Sequence, residues 1–232
     1  MPFLDLADRV REVRERIDAA AQRGGRGRGQ AVTIVAVTKT HGPDALQAAW
    51  DAGLRDIGEN KVQEALGKMD ALPLPFRWHM IGHMQRNKVK HLTRFHLLHS
   101  LDRASLAVAV DAHGLKADRV FDVLVQVNVV GEATKGGYEP ATMAREARHL
   151  RGLKNLRVRG VMTMAPFGAD VSTLRKVFAG ARETRDVLCQ AGHADATELS
   201  MGMSDDFEIA VEEGATCVRL GTVLFGEREA HG

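Results

Sequence analysis

From residue 31 onward the chain alternates short strand-like apolar runs with helical patterns, eight times over. The runs lie at 31–38, 55–57, 76–80, 95–99, 120–127, 156–161, 196–199 and 216–220, and each but the last is followed by a stretch able to form a helix. Such helical crossovers join parallel strands. Eight units without a break in composition predict a single closed (β/α)8 barrel of the TIM type. An open doubly wound sheet is the alternative, and no GxGxxG follows the first strand to favour it. A chain of 232 residues that is 44% hydrophobic has enough apolar surface for one large core without disulfides or metals.

Ahead of the barrel, Leu6, Val10, Val13 and Ile17 recur at spacings of three and four and mark one face of a helix over 4–22. RGGRGRGQ at 23–30 then breaks it. The expected division is therefore 1–30 as helix and Gly/Arg-rich connector and 31–232 as barrel, one domain overall. The tract has the composition of an RNA-binding segment, but one basic run between ordered elements ordinarily makes a solvated loop. Arg86, Lys88, Lys90, His91 and Arg94 likewise read as a solvated face without interleaved aromatics, and the net charge is only +2, so nucleic acid is not an expected partner. No apolar run approaches the ~20 residues of a membrane span, and the first residues do not read as a signal peptide. Cys189 and Cys217 have no metal-ligand spacing and fit a reducing compartment; the expected location is the cytoplasm. His79 and His83 are four apart, but Gly82 intervenes and the glutamate of HExxH is missing, so no metal is expected.

In such a barrel the chemistry sits at the carboxyl ends of the strands, where the βα loops converge. The polar residues there are Lys39, Glu59 with Asn60, His79, Ser100 and Asn128 after strands one to five. Met162 with Thr163, Ser200, and Arg219 with Gly221 and Thr222 follow on the last three. Lys39 closes VTIVAVTK, and the two-residue period puts it on the side of Val35 and Val37, toward the interior. An amine withdrawn from water loses its proton more easily, and a neutral lysine is a nucleophile toward aldehydes. A strand-end lysine alone is ordinarily solvated or ion-paired. Concurring features lie in LSMGMS (199–204) and RLGT (219–222), whose glycines and hydroxyls follow strands seven and eight, where barrel enzymes commonly hold phosphate. Taken singly, Ser204 is a helix cap and Gly221 a turn. Arg219 shares its parity with Cys217, opposite to Val218 and Leu220, and so faces the interior.

These segments resemble one family, the pyridoxal 5'-phosphate (PLP) homeostasis proteins, also called YggS/PROSC. The resemblance runs from Val32 to Gly226 through VAVTK (35–39), GENKVQE (58–64), WHMIGHMQRNK (78–88), HSLDR (99–103) and QVNVVGEATKGG (126–137). It continues through RGVMTMAP (159–166), LSMGMSDDFEIAVEEGATCVRLGT (199–222) and LFG (224–226). It implies a barrel like the alanine racemase N-terminal domain, with PLP as cofactor and Lys39 forming the internal aldimine, a Schiff base. It further implies that Arg219 faces the pyridine nitrogen, that Ser200, Gly221 and Thr222 hold the phosphate, and that Asn60, His79 and Met162 line the site, with Met201 beside them. The chain departs from the family pattern at Lys61, where an aromatic is common, at His83, where proline is, and at Arg86, where a small residue is.

The resemblance implies storage and delivery of PLP, with control of vitamin B6 and amino-acid pools. An arginine at the pyridine nitrogen keeps it unprotonated and weakens the ring as an electron sink, where an Asp or Glu would strengthen it. A two-base racemase also needs a second base, which in alanine racemases is a tyrosine from a separate β domain. No such domain is read here, and Tyr138, the one tyrosine, follows the glycine-rich GEATKGG, expected to be a mobile loop. Lys135 in that loop is a candidate second amine for transfer, or simply a solvated lysine. The expected partners are PLP and apo forms of PLP-dependent enzymes, and the expected state is a monomer. The alternatives are a PLP-dependent racemase or decarboxylase and a PLP-free barrel acting on a phosphorylated metabolite.

Overall fold

The computed structural model describes residues 3–25, 31–132 and 135–226. Its eight parallel strands close in sequence order into one barrel. They are β1 (Thr33–Val37), β2 (Asp56–Glu59), β3 (Arg77–Met80), β4 (Leu97–Leu101), β5 (Phe121–Gln126), β6 (Leu156–Met162), β7 (Glu198–Ser200) and β8 (Cys217–Leu220). The helices are α1 (Leu6–Arg23), α2 (Pro43–Asp51), α3 (Val62–Ala71), α4 (Ala104–Ala117), α5 (Met143–Gly152), α6 (Val171–Gln190), α7 (Phe207–Glu212) and α8 (Thr222–Phe225). Two segments following strands differ from the sequence expectation. The segment after β3 is a 3-10 helix, Arg86–Arg94, and β8 is followed by the single turn of α8. Of the Gly/Arg-rich tract, residues 26–30 lie outside the described residues.

The main apolar core lies between strands and helices. Ile34 and Ala36 of β1, Trp78 and Met80 of β3, and Val218 and Leu220 of β8 meet the helices there, as strict alternation requires. A second, small cluster of Leu97, Leu124 and Met162 lies apart from it, on the inward parity of the strands. On β6 the outward residues are Leu156, Val158 and then Val161, and the register against β5 shifts between Val123 and Leu124. Gly160 stands in that irregularity with φ +151°. The bulge changes which residues of β6 face inward and so turns Met162 into the interior.

Helix α1 buries the four residues that its spacing marks, together with Ala20 and Ala21. It is tied to α7 by Arg16 and Arg23 on Glu208 at 2.7 and 3.0 Å, with Arg23 also on Glu212 at 2.6 Å. This places the N-terminal helix against the β7–β8 side of the barrel, next to the loops where phosphate is expected.

Candidate functional site

Lys39 stands two residues beyond the end of β1, half-buried, in a turn that neighbouring side chains clamp. Lys68 of α3 donates to the Thr38 carbonyl at 2.6 Å, to Glu59 Oε1 at 2.6 Å and to Glu64 Oε1 at 2.8 Å. The Thr38 hydroxyl donates to Glu59 Oε1 at 2.5 Å, and the Thr40 N–H to Glu64 Oε1 at 2.6 Å. Thr40 holds φ +70°, a left-handed conformation costly for a β-branched residue, and its bonded N–H helps retain it. Burial pushes the Glu59 carboxyl up against the opposing effect of Lys68 and Thr38. Burial also works against ionisation of Glu64, but Lys68 and the Thr40 N–H hold its carboxyl below the usual range. The part of this clamp visible in the sequence is the Glu64, Lys68 pair, an i,i+4 match on one helix face.

Arg219 is the second anchor. Its Cα pairs with Val35, one layer below the mouth, but its head reaches the carboxyl ends of β6 and β7. Nη1 donates to the Ser200 carbonyl and hydroxyl, both at 2.8 Å, and Nη2 to the Thr163 carbonyl at 3.0 Å. Burial draws the guanidinium below its ordinary value, with Cys217 and Asp206 acting the other way. Cys217 itself is pushed up to about 12 by burial, so the thiol beside Arg219 is neutral.

Other expected site residues are distributed unevenly. Gly221 adjoins the end of β1, where an added Cβ would stand 3.6 Å from the Val37 carbonyl oxygen, and Thr222 after it is exposed. The Ser204 hydroxyl accepts from the Val223 N–H at 3.2 Å and links the loop after β7 to α8. Asn60 is half-buried, with its backbone so close to Gly82 that a Cβ at 82 would lie 2.2 Å from the Asn60 oxygen. Met162 is buried in the interior cluster. Met201 differs from expectation, because its parity sends the side chain into the core beneath the helices. Ser200 differs too, since its hydroxyl, expected to serve a phosphate, is buried between Arg219 and His99. His79 has both ring nitrogens engaged, with Nε2 at 3.0 Å from Asp56 Oδ1 and Nδ1 at 2.8 Å from His99 Nε2.

Tyr138 is fixed by its backbone, whereas residues 133 and 134 of the GEATKGG segment, expected to be mobile, lie outside the described residues. The Tyr138 N–H donates to the Gln126 carbonyl at 2.8 Å, its carbonyl accepts from the Asn128 N–H at 2.9 Å, and its ring is buried. Gln126 and Asn128 side chains hold the Gly136 and Lys135 carbonyls at 2.7 and 3.0 Å. Residues 135–138 are thus laced to the end of β5. Burial, with Glu146 and Asp102 nearby, pushes the Tyr138 phenol up, which keeps it protonated. Lys135 pairs with Glu132 at 2.8 Å and donates to the Ala165 carbonyl at 3.2 Å. His83, a departure from the family pattern, supplies a contact of its own to Asp102 at 2.8 Å.

His99 and Asp56 were not singled out by sequence reasoning, and both carry pH dependence. Burial pushes the His99 imidazole well below its ordinary range, so it stays neutral while the unfolded chain takes up a proton. Its contribution to stability is complete above about pH 6.5 and falls by up to about 1.4 kcal/mol per pH unit below it. Burial opposes ionisation of Asp56, but hydrogen bonds from Arg77 and His79 overcome it and bring the carboxyl to about 2. That contribution is complete above about pH 4 and is lost as pH falls through about 2. Urea titrations between about pH 7 and about pH 5 are expected to show the His99 slope and His99→Gln to remove it; an unchanged slope would refute the assignment.

Comparison with known proteins follows the same lines. The family described as "Alanine racemase, N-terminal domain" matches residues 10–229. A pyridoxal phosphate homeostasis protein of Aquifex aeolicus is 43% identical over 228 residues, covering 97% of this chain and 100% of its own. A protein of the same name from Pseudomonas aeruginosa is 41% identical over 226 residues, covering 97% and 96%. The solved structure of PipY from Synechococcus elongatus with PLP bound matches with a TM-score of 0.84 at 34% identity, over 95% of this chain and 100% of that one. A lysine on a clamped turn after β1, a buried arginine on β8 and likeness along nearly the whole chain agree, and the chain belongs to the pyridoxal phosphate homeostasis protein family.

Proposed function

We propose that this chain binds PLP covalently through Lys39 and serves PLP homeostasis as a carrier without a committed reaction of its own. The observation that carries the reading is a lysine on a clamped turn after β1 together with the buried Arg219 head at the ends of β6 and β7, both at the carboxyl end of the barrel. The donor set fits the cofactor: a primary amine for its aldehyde, a cation for its ring nitrogen, and the Gly221, Thr222 and Ser204 region beside the end of β1 for its phosphate. Bound PLP supplies an aldehyde that amines capture and a ring able to draw electrons. Lys39 holds the cofactor, and the clamp of Lys68, Glu59 and Glu64 orients the turn that carries it. Arg219 orients the ring as a permanent donor and does not pass it a proton. Asn60 and Met162 would border the ring when PLP is bound. Tyr138, the one tyrosine, is buried with its phenol held protonated, which supports a carrier over a two-base racemase.

No helix among the described residues is long and apolar enough to cross a membrane. Two free thiols, Cys189 and Cys217, support a reducing compartment, and the carrier is proposed to act in the cytoplasm as a monomer that passes PLP to apo-enzymes. The test is near-visible absorbance of the protein with PLP, then borohydride fixation and peptide mapping. A yellow species fixed on Lys39 and lost in Lys39→Ala is expected, with no exchange of amino-acid α-hydrogen for deuterium. An adduct scattered over surface lysines would overturn the anchor, and rapid exchange would overturn the carrier.

A further inference from the structure

The barrel interior contains a row of polar side chains that a packed core would not need. Asp56 Oδ1 lies 3.0 Å from His79 Nε2, and His79 Nδ1 lies 2.8 Å from His99 Nε2. His99 Nδ1 lies 2.9 Å from Ser200 Oγ, which accepts from Arg219 Nη1 at 2.8 Å. All five residues are buried, His99 and Ser200 completely. At the far end Arg77 grips Asp56 through Nε and Nη2 at 2.6 and 2.5 Å. The row crosses the lumen from β2 through β3, β4 and β7 to β8 and ends on the guanidinium assigned above to the ring nitrogen.

We propose that Asp56, His79, His99 and Ser200 are positioning residues for Arg219, a single file of hydrogen bonds running in one direction that sets the aim of the guanidinium. The inference rests on the reading of Arg219 as the partner of the PLP ring nitrogen. With each imidazole carrying one hydrogen, the direction follows from the ends. An arginine only donates, so Ser200 Oγ accepts; an ionised carboxylate only accepts, so His79 Nε2 carries a hydrogen toward Asp56. His99 is neutral and has one N–H to give. Every contact has one donor when the Ser200 hydroxyl gives to His99 Nδ1, His99 Nε2–H gives to His79 Nδ1, and His79 Nε2–H gives to Asp56.

Other charged and titratable groups around the row leave this order intact. His96 meets His79 edge-on with ring centroids 5.4 Å apart, and Cys217 beside Ser200 is neutral. The bonds to Ser200 use both hydrogens of Arg219 Nη1, and the bond to Thr163 one of Nη2. Among the described residues, Nε–H and the second hydrogen of Nη2 are left to face a ligand. Asp206 is the carboxylate that acts on the guanidinium directly, while the file fixes its orientation from behind and ends on a second carboxylate, Asp56, across the lumen. A chain of polarised bonds resists rotation of its last member more than one bond does.

The test uses the full chain with and without PLP. Long-range nitrogen–proton NMR spectra of the apo protein are expected to show His79 and His99 with hydrogen on Nε2 and a bare Nδ1. An Nδ1–H form of either ring would overturn the proton order. In the PLP-loaded protein, His99→Leu is expected to weaken PLP binding by about tenfold, the effect of losing one such aligned bond, and to shift the visible band. His99→Gln presents an oxygen to Ser200 and an N–H to His79 and is expected to recover most of both. Unchanged affinity and band in His99→Leu would overturn the positioning role. If that variant does not fold, Asp56→Asn is read in the same way: expected are mixed histidine tautomers and weaker PLP binding, and wild-type values for both would overturn it. Absence of a Lys39 adduct in the wild-type protein would instead sink the PLP reading, and the apo spectra would still judge the file.

Discussion

Replacing Lys68 with methionine is expected to lower folding stability by about 3–5 kcal/mol, the usual cost of stranding a buried charge. Lys68 holds two carboxylates, at 2.6 Å from Glu59 and 2.8 Å from Glu64, and its side chain is 8% exposed while that of Glu59 is fully buried. Without the ammonium, Glu59 keeps the Thr38 hydroxyl on Oε1, and among the described residues its other oxygen, Oε2, has no hydrogen-bond partner. Methionine fills the volume, so the loss reports charge more than cavity. The Thr38 carbonyl loses a donor in the same step, and the turn that carries Lys39 loosens. Chemical denaturation of the variant measures the cost. Adding Glu59→Gln to Lys68→Met is expected to restore part of it, because a neutral amide needs no counter-charge. A loss below about 1 kcal/mol would mean that Glu59 simply takes up a proton, and that the clamp does not depend on the ion pair.

Gly160→Ala is expected to be at least as damaging, at more than about 3 kcal/mol, or to prevent folding. Gly160 adopts φ +151°, which side chains avoid, and a Cβ there would stand 1.9 Å from the Glu198 carbonyl oxygen. That atom belongs to the neighbouring strand backbone, since Gly160 pairs with Glu198 in the β6–β7 ladder. No rotamer change relieves the contact, so the two strands would have to part. Met162, Thr163 and Ser200 lie just beyond and would move with them, taking two of the carbonyls that hold Arg219. Gly67 provides the control. It is an exposed position within α3 with nothing within 4 Å of an added Cβ, and Gly67→Ala is expected to raise stability by about 0.5–1 kcal/mol. If Gly160→Ala melted like the wild type, the close β6–β7 approach would be refuted.

The register of the strands divides what local pattern conveys from what neighbours impose. The sequence places the second strand at 55–57 and the fourth at 95–99; in the structure they are Asp56–Glu59 and Leu97–Leu101. Both are buried along their length yet contain polar residues, Asp56 and Glu59 in one and His99 and Ser100 in the other, so hydropathy does not mark their ends, and pairing with the adjacent strands sets them. Likewise the three-residue step from Val158 to Val161 leaves no signature in hydropathy, because both are apolar and the intervening Gly160 reads as an ordinary strand glycine.

Some site features are local and some are not. Lys39 on the side of Val35 and Val37, and Arg219 opposite to Val218 and Leu220, follow from a two-residue period within a single strand. Glu64 and Lys68 follow from the turn of a helix. By contrast, His99 and Ser200 are 101 residues apart, and His79 and Asp56 are 23 apart. Parity says that each faces inward but not which of the other inward residues it will meet. By itself the sequence determined an eight-unit parallel barrel, the strand ends where polar residues gather, and the lysine and arginine that the family resemblance singles out. Only the tertiary structure decided that Ser200 serves Arg219, that Met201 turns to the helices, that Tyr138 is pinned to β5, and that a file of histidines links Asp56 to the site. Partners across a lumen are fixed by the tilt and stagger of the closed sheet, and these exist only once all eight strands have met.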